Sequence, residues 1–247
     1  MTHNHKYKIH KVKDNNEKKI VKKGELFDLP FRVLYVAKSG VGKSNHLTNL
    51  VIKPQYYGDN FKGENIYIFS PSIKLDKKLQ IIIKQKNIPN ENLFTKLDHE
   101  DLETLLEFIE EEYNARKAEG KPIEHALVIV DDCMPSMKDK QNSGFQDLFI
   151  RSRHFCCSVI ATAQYYNKVP PVCRNNLSGL ICFEVNTKQL EDIYFDHSYT
   201  NKKDFYALYR KAVSPNRHST FIVNYSNPKD KMYLDSNFEP LTLDENK

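Results

Sequence analysis

The segment Phe31-Arg32-Val33-Leu34-Tyr35-Val36-Ala37-Lys38-Ser39-Gly40-Val41-Gly42-Lys43-Ser44 constrains this chain more than any other. A mostly apolar run breaks into a turn with two glycines and meets Lys43 and Ser44 where a helical pattern begins. Such a strand, turn and helix bring successive backbone N–H groups onto one phosphate group, and the helix N-terminus adds its dipole. Gly40 and Gly42 permit the sharp backbone. Ala37, Lys38, Ser39, Gly40, Val41, Gly42, Lys43 and Ser44 then form the loop. The Lys43 ammonium reaches the β- and γ-phosphates of a nucleoside triphosphate, and the Ser44 hydroxyl ligates Mg2+. The spelling departs from G-x-x-x-x-G-K-[ST] at Ala37. The first glycine mainly ends the strand, so alanine fits if its φ is negative.

A chain of 247 residues can bury a full core, and its length favours one α/β domain over two. The expected division is a basic tail over 1–23, a nucleotide-binding domain over 24–241 and a polar end over 242–247. The tail holds eight lysines against Asp14 and Glu17, a net +6 in a chain of net +5, so the body is close to neutral. Such a run is either a solvated, disordered extension or an arm for nucleic acid or another acidic partner. No stretch approaches the ~20 apolar residues of a membrane span, and the lysine-rich start does not read as a secretory signal. Cys133, Cys156, Cys157, Cys173 and Cys182 form no C-x-x-C pair, the pattern of reduced thiols in a cytosol-like compartment.

Beyond the first strand, at 31–36, and its helix from Lys43 to before Pro54, apolar runs alternate with helical patterns. Strands are expected at 65–70, 126–130, 158–163 and 179–183, and helices at about 74–86, 99–119, 189–196 and 202–212. In the long acidic helix Leu102, Leu105, Leu106, Ile109 and Tyr113 recur at helical spacing. The pair 220–225 and 232–234 reads as a terminal hairpin. The alternation predicts a mainly parallel central sheet flanked by helices, with ligand at the carboxyl ends of its strands.

The run Ala126-Leu127-Val128-Ile129-Val130 ends in Asp131-Asp132. An apolar strand ending in an acid suits Asp131 to hold Mg2+ through water or the Ser44 hydroxyl, and places Asp132 to polarise the attacking water. Alone, two aspartates at a strand end also describe an ordinary turn. Gln164 closes the strand at 158–163, so its amide belongs at the same edge as Asp131, where it can sense the γ-phosphate. Arg151-Ser152-Arg153-His154 precedes that strand at its other end. Arginines there face away from their own nucleotide and suit either a neighbour's site or surface ion pairs.

Ala37 to Ser44, Leu127 to Asp132, Arg153-His154 with Ser158-Val159-Ile160, Gln164, and Pro170 with Arg174-Asn175-Asn176 resemble the motif series of the viral genome-packaging ATPases related to the poxvirus A32 protein, within the FtsK–HerA superfamily. Asp196-His197-Ser198 and Phe205-Tyr206-Ala207-Leu208-Tyr209 resemble the helical region after the fifth strand of those proteins. The likeness spans residues 27–241, and its small size and lysine and asparagine content resemble proteins of small double-stranded DNA viruses such as virophages. The resemblance implies a RecA-like P-loop ATPase that works as a homo-oligomeric ring, takes ATP and Mg2+, and pumps double-stranded DNA into a preformed capsid. It further implies a capsid or portal partner and a place in the host cytoplasm, at the virus factory, rather than in a membrane. Carried over by position, Lys43 and Ser44 bind phosphate and Mg2+, Asp131 binds Mg2+, Asp132 activates water and Gln164 is the sensor. Arg153 is the favoured arginine finger, with Arg151 and Arg174 behind it. Aspartate in place of glutamate at position 132 is a second departure from the pattern, after Ala37.

Other readings share parts of this set. A helicase or DNA-transfer motor of the same superfamily would use the same residues. A GTPase-like switch would carry N-K-x-D, but Asn167-Lys168-Val169-Pro170 lacks the aspartate, which favours adenine. A small-molecule kinase would need an arginine-rich lid late in the chain, where Arg210 and Arg217 stand.

Overall fold

A computed structural model describes residues 24–133, 137 and 143–243. The expected basic tail over 1–23 and residues 244–247 of the polar end lie outside the described residues. Eight strands form one sheet: β1 (Arg32–Val36), β2 (Ile66–Phe69), β3 (Leu93–Phe94), β4 (Ala126–Val130), β5 (Cys157–Ala163), β6 (Gly179–Cys182), β7 (Phe221–Asn224) and β8 (Tyr233–Leu234). Their spatial order is β3-β2-β4-β5-β1-β6-β7-β8. β1 to β6 run parallel, while β7 pairs antiparallel with β6 and with β8.

β4 and β5 are buried along their whole length, and β1 everywhere but at Arg32, which is why they read as largely apolar runs instead of alternating ones. Alternate side chains feed two cores. Leu34, Val36, Val128, Val130, Val159 and Ala161 pack on one face against α3 (His99–Ala118), α4 (Ser143–Arg151), α6 (Thr187–His197) and α7 (Lys202–Val213). Val33, Tyr35, Leu127, Ile129 and Ile160 pack on the other against α1 (Lys43–Ile52) and α2 (Lys77–Lys86), with Phe27, Phe31 and Tyr57. A short α5 (Pro171–Asn175) joins β5 to β6.

Helix boundaries follow capping chemistry. Asp98 caps α3 by accepting from Glu100 N, and Glu100 and Asp101 at the start and Arg116 and Lys117 at the end complement its dipole. Leu102, Leu105, Leu106 and Ile109 are its buried face, with Tyr113 packed at the edge. The second helix begins at Lys77, later than the expected 74, because the Asp76 carboxylate accepts from Lys78 N and Leu79 N and so sets the first turn. Three elements had no counterpart in the sequence reading: β3, α4 and α5. β3 is two residues long, held by its register with Ile68 and Phe69 and by the stacking of Phe94 on Phe69 at 4.3 Å. The α4 spacing of Phe145, Leu148 and Phe149, all buried, is helical and visible in retrospect.

Two histidines carry a pH consequence, His197 buried and His46 half-buried. His46 lies on α1, its Nδ1 2.9 Å from the Tyr35 hydroxyl, and burial lowers its pKa to about 4. His197 lies between the hydroxyls of Tyr166 and Tyr225, and burial, opposed in part by Asp196, also lowers it to about 4. Both folded values lie below the unfolded value of 6.5, so the unfolded chain takes up protons first as pH falls. Their stabilisation is whole above pH ~6.5 and is lost as pH falls towards 4, at up to about 1.4 kcal/mol per pH unit for each histidine. Urea unfolding measured from pH 7.5 to 4.5 should therefore show a shallower acid dependence for His197→Gln than for the parent chain; parallel curves would remove His197 from this account.

Candidate nucleotide-binding site

Strand register brings the predicted residues to one edge. Val36 pairs with Ala163 and Tyr35 with Thr162, while Val130 pairs with Ala161, so the carboxyl ends of β1, β5 and β4 finish together. Ala37 N donates to Ala163 O at 3.0 Å and its methyl group is buried. Left-handed backbone among the described non-glycine residues occurs at Asn87, Asp132, Cys156 and Phe238, so Ala37 keeps the negative φ that lets alanine stand in this position. Gly40 and Gly42 take φ of 78° and 103°, where a β-carbon is strained. The first helical N–H bond of α1 is His46 N to Gly42 O at 3.0 Å, which leaves the preceding N–H groups outside the ladder. No acidic residue occupies the first turn of α1 itself, and the carboxylates that reach its head, Asp76 and Asp131, come from neighbouring elements.

These groups open onto a cavity of about 340 Å³ lined by the loop together with Asp76, Asp131, Asp132 and Gln164. Its polar floor is one connected network. β5 lies between β1 and β4, so Thr162 sits between Lys43 and Asp131. The Lys43 ammonium donates to Thr162 Oγ1 at 3.0 Å and lies 3.0 Å from Asp131 Oδ1. The Thr162 hydroxyl donates to Asp131 Oδ1 at 2.7 Å and accepts from Asp132 N at 3.1 Å. One proton and two lone pairs are all a hydroxyl has, and here each has a partner. Asp131 is almost wholly buried, so its charge rests on Lys43 and Thr162.

The Ser44 hydroxyl donates to Asp76 Oδ2 at 3.0 Å, while Oδ1 of the same carboxylate caps α2. Asp132 has φ 56°, a left-handed conformation that aspartate adopts more readily than most residues, and its Oδ1 accepts from Gln164 Nε2 at 3.1 Å. Oxygen donors from Ser44 and Asp131 on the cavity side suit Mg2+, which takes one or two protein oxygens and completes its shell with phosphate and water. Cys133 adjoins the acids, and burial, followed by the charges of Asp131 and Asp132, pushes its thiol up to about 12. It stays a neutral thiol.

The arginines fall elsewhere. Arg153 is exposed before the start of β5, at the opposite edge of the sheet from the cavity, with its Nε 3.4 Å from His154 Nε2. Burial, and next the charge of Arg153, lower the neighbouring Arg32 to about 10. Arg151 is paired with Glu110 at 2.7 Å. Arg174 is paired with Asp196 and stacks over Tyr166, 4.8 Å from the ring centre. Sequence reasoning missed Thr162 and Asp76. Thr162 is one of two hydroxyl residues, with Ser158, in an otherwise apolar strand and reads as ordinary β-propensity, and Asp76 reads as a helix cap, which it also is.

Comparison with known proteins gives the family and the fold. The family described as Poxvirus A32 protein matches residues 17–234. Among curated proteins, uncharacterized protein 075L of Invertebrate iridescent virus 6 is 26% identical over 110 residues, 44% of this chain and 43% of that one. Uncharacterized protein 015R of Frog virus 3 (isolate Goorha) is 28% identical over 99 residues, 40% and 31% of the two chains. The matched regions thus span less than half of either curated relative. Among solved structures, the genome packaging NTPase B204 of Sulfolobus turreted icosahedral virus 2, in complex with ATP-gammaS, aligns with TM-score 0.53 at 15% identity, covering 80% of this chain and 93% of that one. EssC (ATPases 2 and 3) of Geobacillus thermodenitrificans aligns with TM-score 0.55 at 16% identity, covering 88% and 41%. No described helix is long and apolar enough to cross a membrane. With a P-loop ATPase fold and a family match over most of its length, the chain belongs to the poxvirus A32 protein family.

Proposed function

We propose that the protein is an ATP-hydrolysing motor that works as a homo-oligomeric ring in the host cytoplasm and moves double-stranded DNA into a preformed viral capsid. The observation that carries this reading is the Lys43–Thr162–Asp131 network at the head of α1, together with membership of the A32 family. Lys43 turns from Asp131 to the β- and γ-phosphates. Ser44 and Asp131 hold Mg2+, which when bound neutralises charge on the phosphate oxygens. Asp132 orients the attacking water and takes its proton, and Gln164, hydrogen-bonded to Asp132, carries the state of the γ-phosphate to that carboxylate. Arg153 serves the nucleotide of a neighbouring copy, since it lies across the sheet from its own cavity. The lysines of residues 1–23 contact DNA phosphates, and a capsid or portal component receives the ring.

Lys43→Ala should weaken ATP binding and abolish turnover. Asp132→Asn keeps a residue type that tolerates left-handed backbone, so it should bind ATP normally while slowing steady-state hydrolysis by ~10^2–10^4; normal turnover in that variant would reassign the base. Mixing Arg153→Ala subunits with Lys43→Ala subunits should restore part of the ATPase activity, because a Lys43→Ala copy still donates its arginine to an intact site; a finger in trans is worth ~10^3–10^5 in rate. Mixtures no more active than their components would end the trans role. Removing residues 1–23 should flatten the salt dependence of duplex-DNA affinity, which falls with a log–log slope of ~0.9 per phosphate contacted. An unchanged slope would place the DNA grip on the body.

A further inference from the structure

The segment between α7 and β7 lies far from the phosphate-binding loop in sequence and touches it in space. β7 runs antiparallel to β6, with Phe221 paired to Cys182, and Cys182 is paired to Val36 of β1. The residues just before β7 therefore arrive at the carboxyl edge, two strands from the start of the loop. His218 is among them, and its Nδ1 lies 2.8 Å from Val41 O.

A carbonyl only accepts, so this contact requires a proton on Nδ1. The other ring nitrogen, Nε2, lies 3.2 Å from Arg217 Nε and accepts from it. Together the two bonds assign the Nδ1–H tautomer. The ring also lies against Gly42, where an added β-carbon would stand 2.8 Å from His218 Nδ1. The approach is thus open to glycine alone, at a position whose φ of 103° already favours glycine. The histidine is itself held, since its backbone N–H donates to Asn216 Oδ1 at 2.8 Å and Ser219 N donates to Asn216 O at 3.0 Å.

In a trans peptide the C=O and the N–H of one unit point in opposite directions. Val41 O and Gly42 N belong to the same unit. Holding the carbonyl outwards, towards His218, aims the Gly42 N–H at the opposite side, where Gly42 lines the phosphate cavity. We infer that His218 is a positioning residue for the phosphate-binding loop: its Nδ1–H bond to Val41 O sets the Gly42 N–H towards an incoming phosphate. The inference rests on the nucleotide reading of that cavity and adds to it a contact from the terminal part of the sheet. His218 is exposed on its outer side, so the expected effect is that of one partly solvated hydrogen bond.

The test compares His218→Phe, which keeps a ring over Gly42 without a donor, with His218→Asn, whose side-chain amide can reach the place of Nδ1. Hydrogen exchange of residues 38–46 is followed in nucleotide-free protein, alongside equilibrium ADP affinity, kcat at saturating ATP and the unfolding midpoint. His218→Phe should speed exchange in the loop and weaken ADP binding by about threefold to tenfold. Its kcat and midpoint should stay near those of the parent, and His218→Asn should recover most of the affinity. Unchanged exchange or unchanged affinity in His218→Phe overturns the proposal, and so does an equal deficit in both variants. A parent protein that binds no ADP would overturn the nucleotide reading instead, while the exchange comparison still decides whether His218 holds the loop.

Discussion

The site depends on one hydroxyl group. Thr162 stands on the strand between β1 and β4, and its oxygen accepts hydrogen bonds from Lys43 and Asp132 N while its hydroxyl donates to Asp131. A buried ammonium and carboxylate together are costly to desolvate unless their remaining bonding capacity is met. The threonine meets it, and it does so through a side chain whose height on the sheet is set by five paired residues on either side. Serine at this place would keep the bonds but lose the methyl group that fixes the hydroxyl's rotamer.

The pairing also ties the loop to its neighbouring elements. Both cation-facing and phosphate-facing groups are engaged with the protein: Lys43 with Asp131, and Ser44 with Asp76. On the proposed reading a triphosphate would exchange these partners for its own oxygens, so part of its binding free energy would offset the bonds released. Since Asp76 also caps α2, loss of the Ser44 bond is felt at the start of that helix. The two helices on that face of the sheet thus share a carboxylate with the loop proposed to hold the nucleotide.

Much of the fold is legible in the sequence because its strands are buried on both faces, which turns them into uninterrupted apolar runs with turn residues between. The phosphate-binding loop is legible for a different reason: its backbone demands glycine at particular places, and Lys43 and Ser44 follow at fixed spacing. What stays hidden is whatever depends on strand order. Nothing in the spelling of 157–163 says that this strand inserts between the first and the fourth, and without that Thr162 is one more β-branched residue. Asp76 and His218 are hidden in the same way, since each acquires its meaning from a partner more than thirty residues away. β3 escapes because two residues carry no periodicity.

The sheet ends on both sides in strands of two residues, β3 and β8. A long unpaired edge is a template for another chain, and short ones offer little backbone to recruit it. Among the described residues, the sheet edges therefore offer copies of this protein little backbone for adding strand to strand. An assembly made through the described residues would rest on side chains of helices and loops, contacts that can break and re-form without unravelling the sheet.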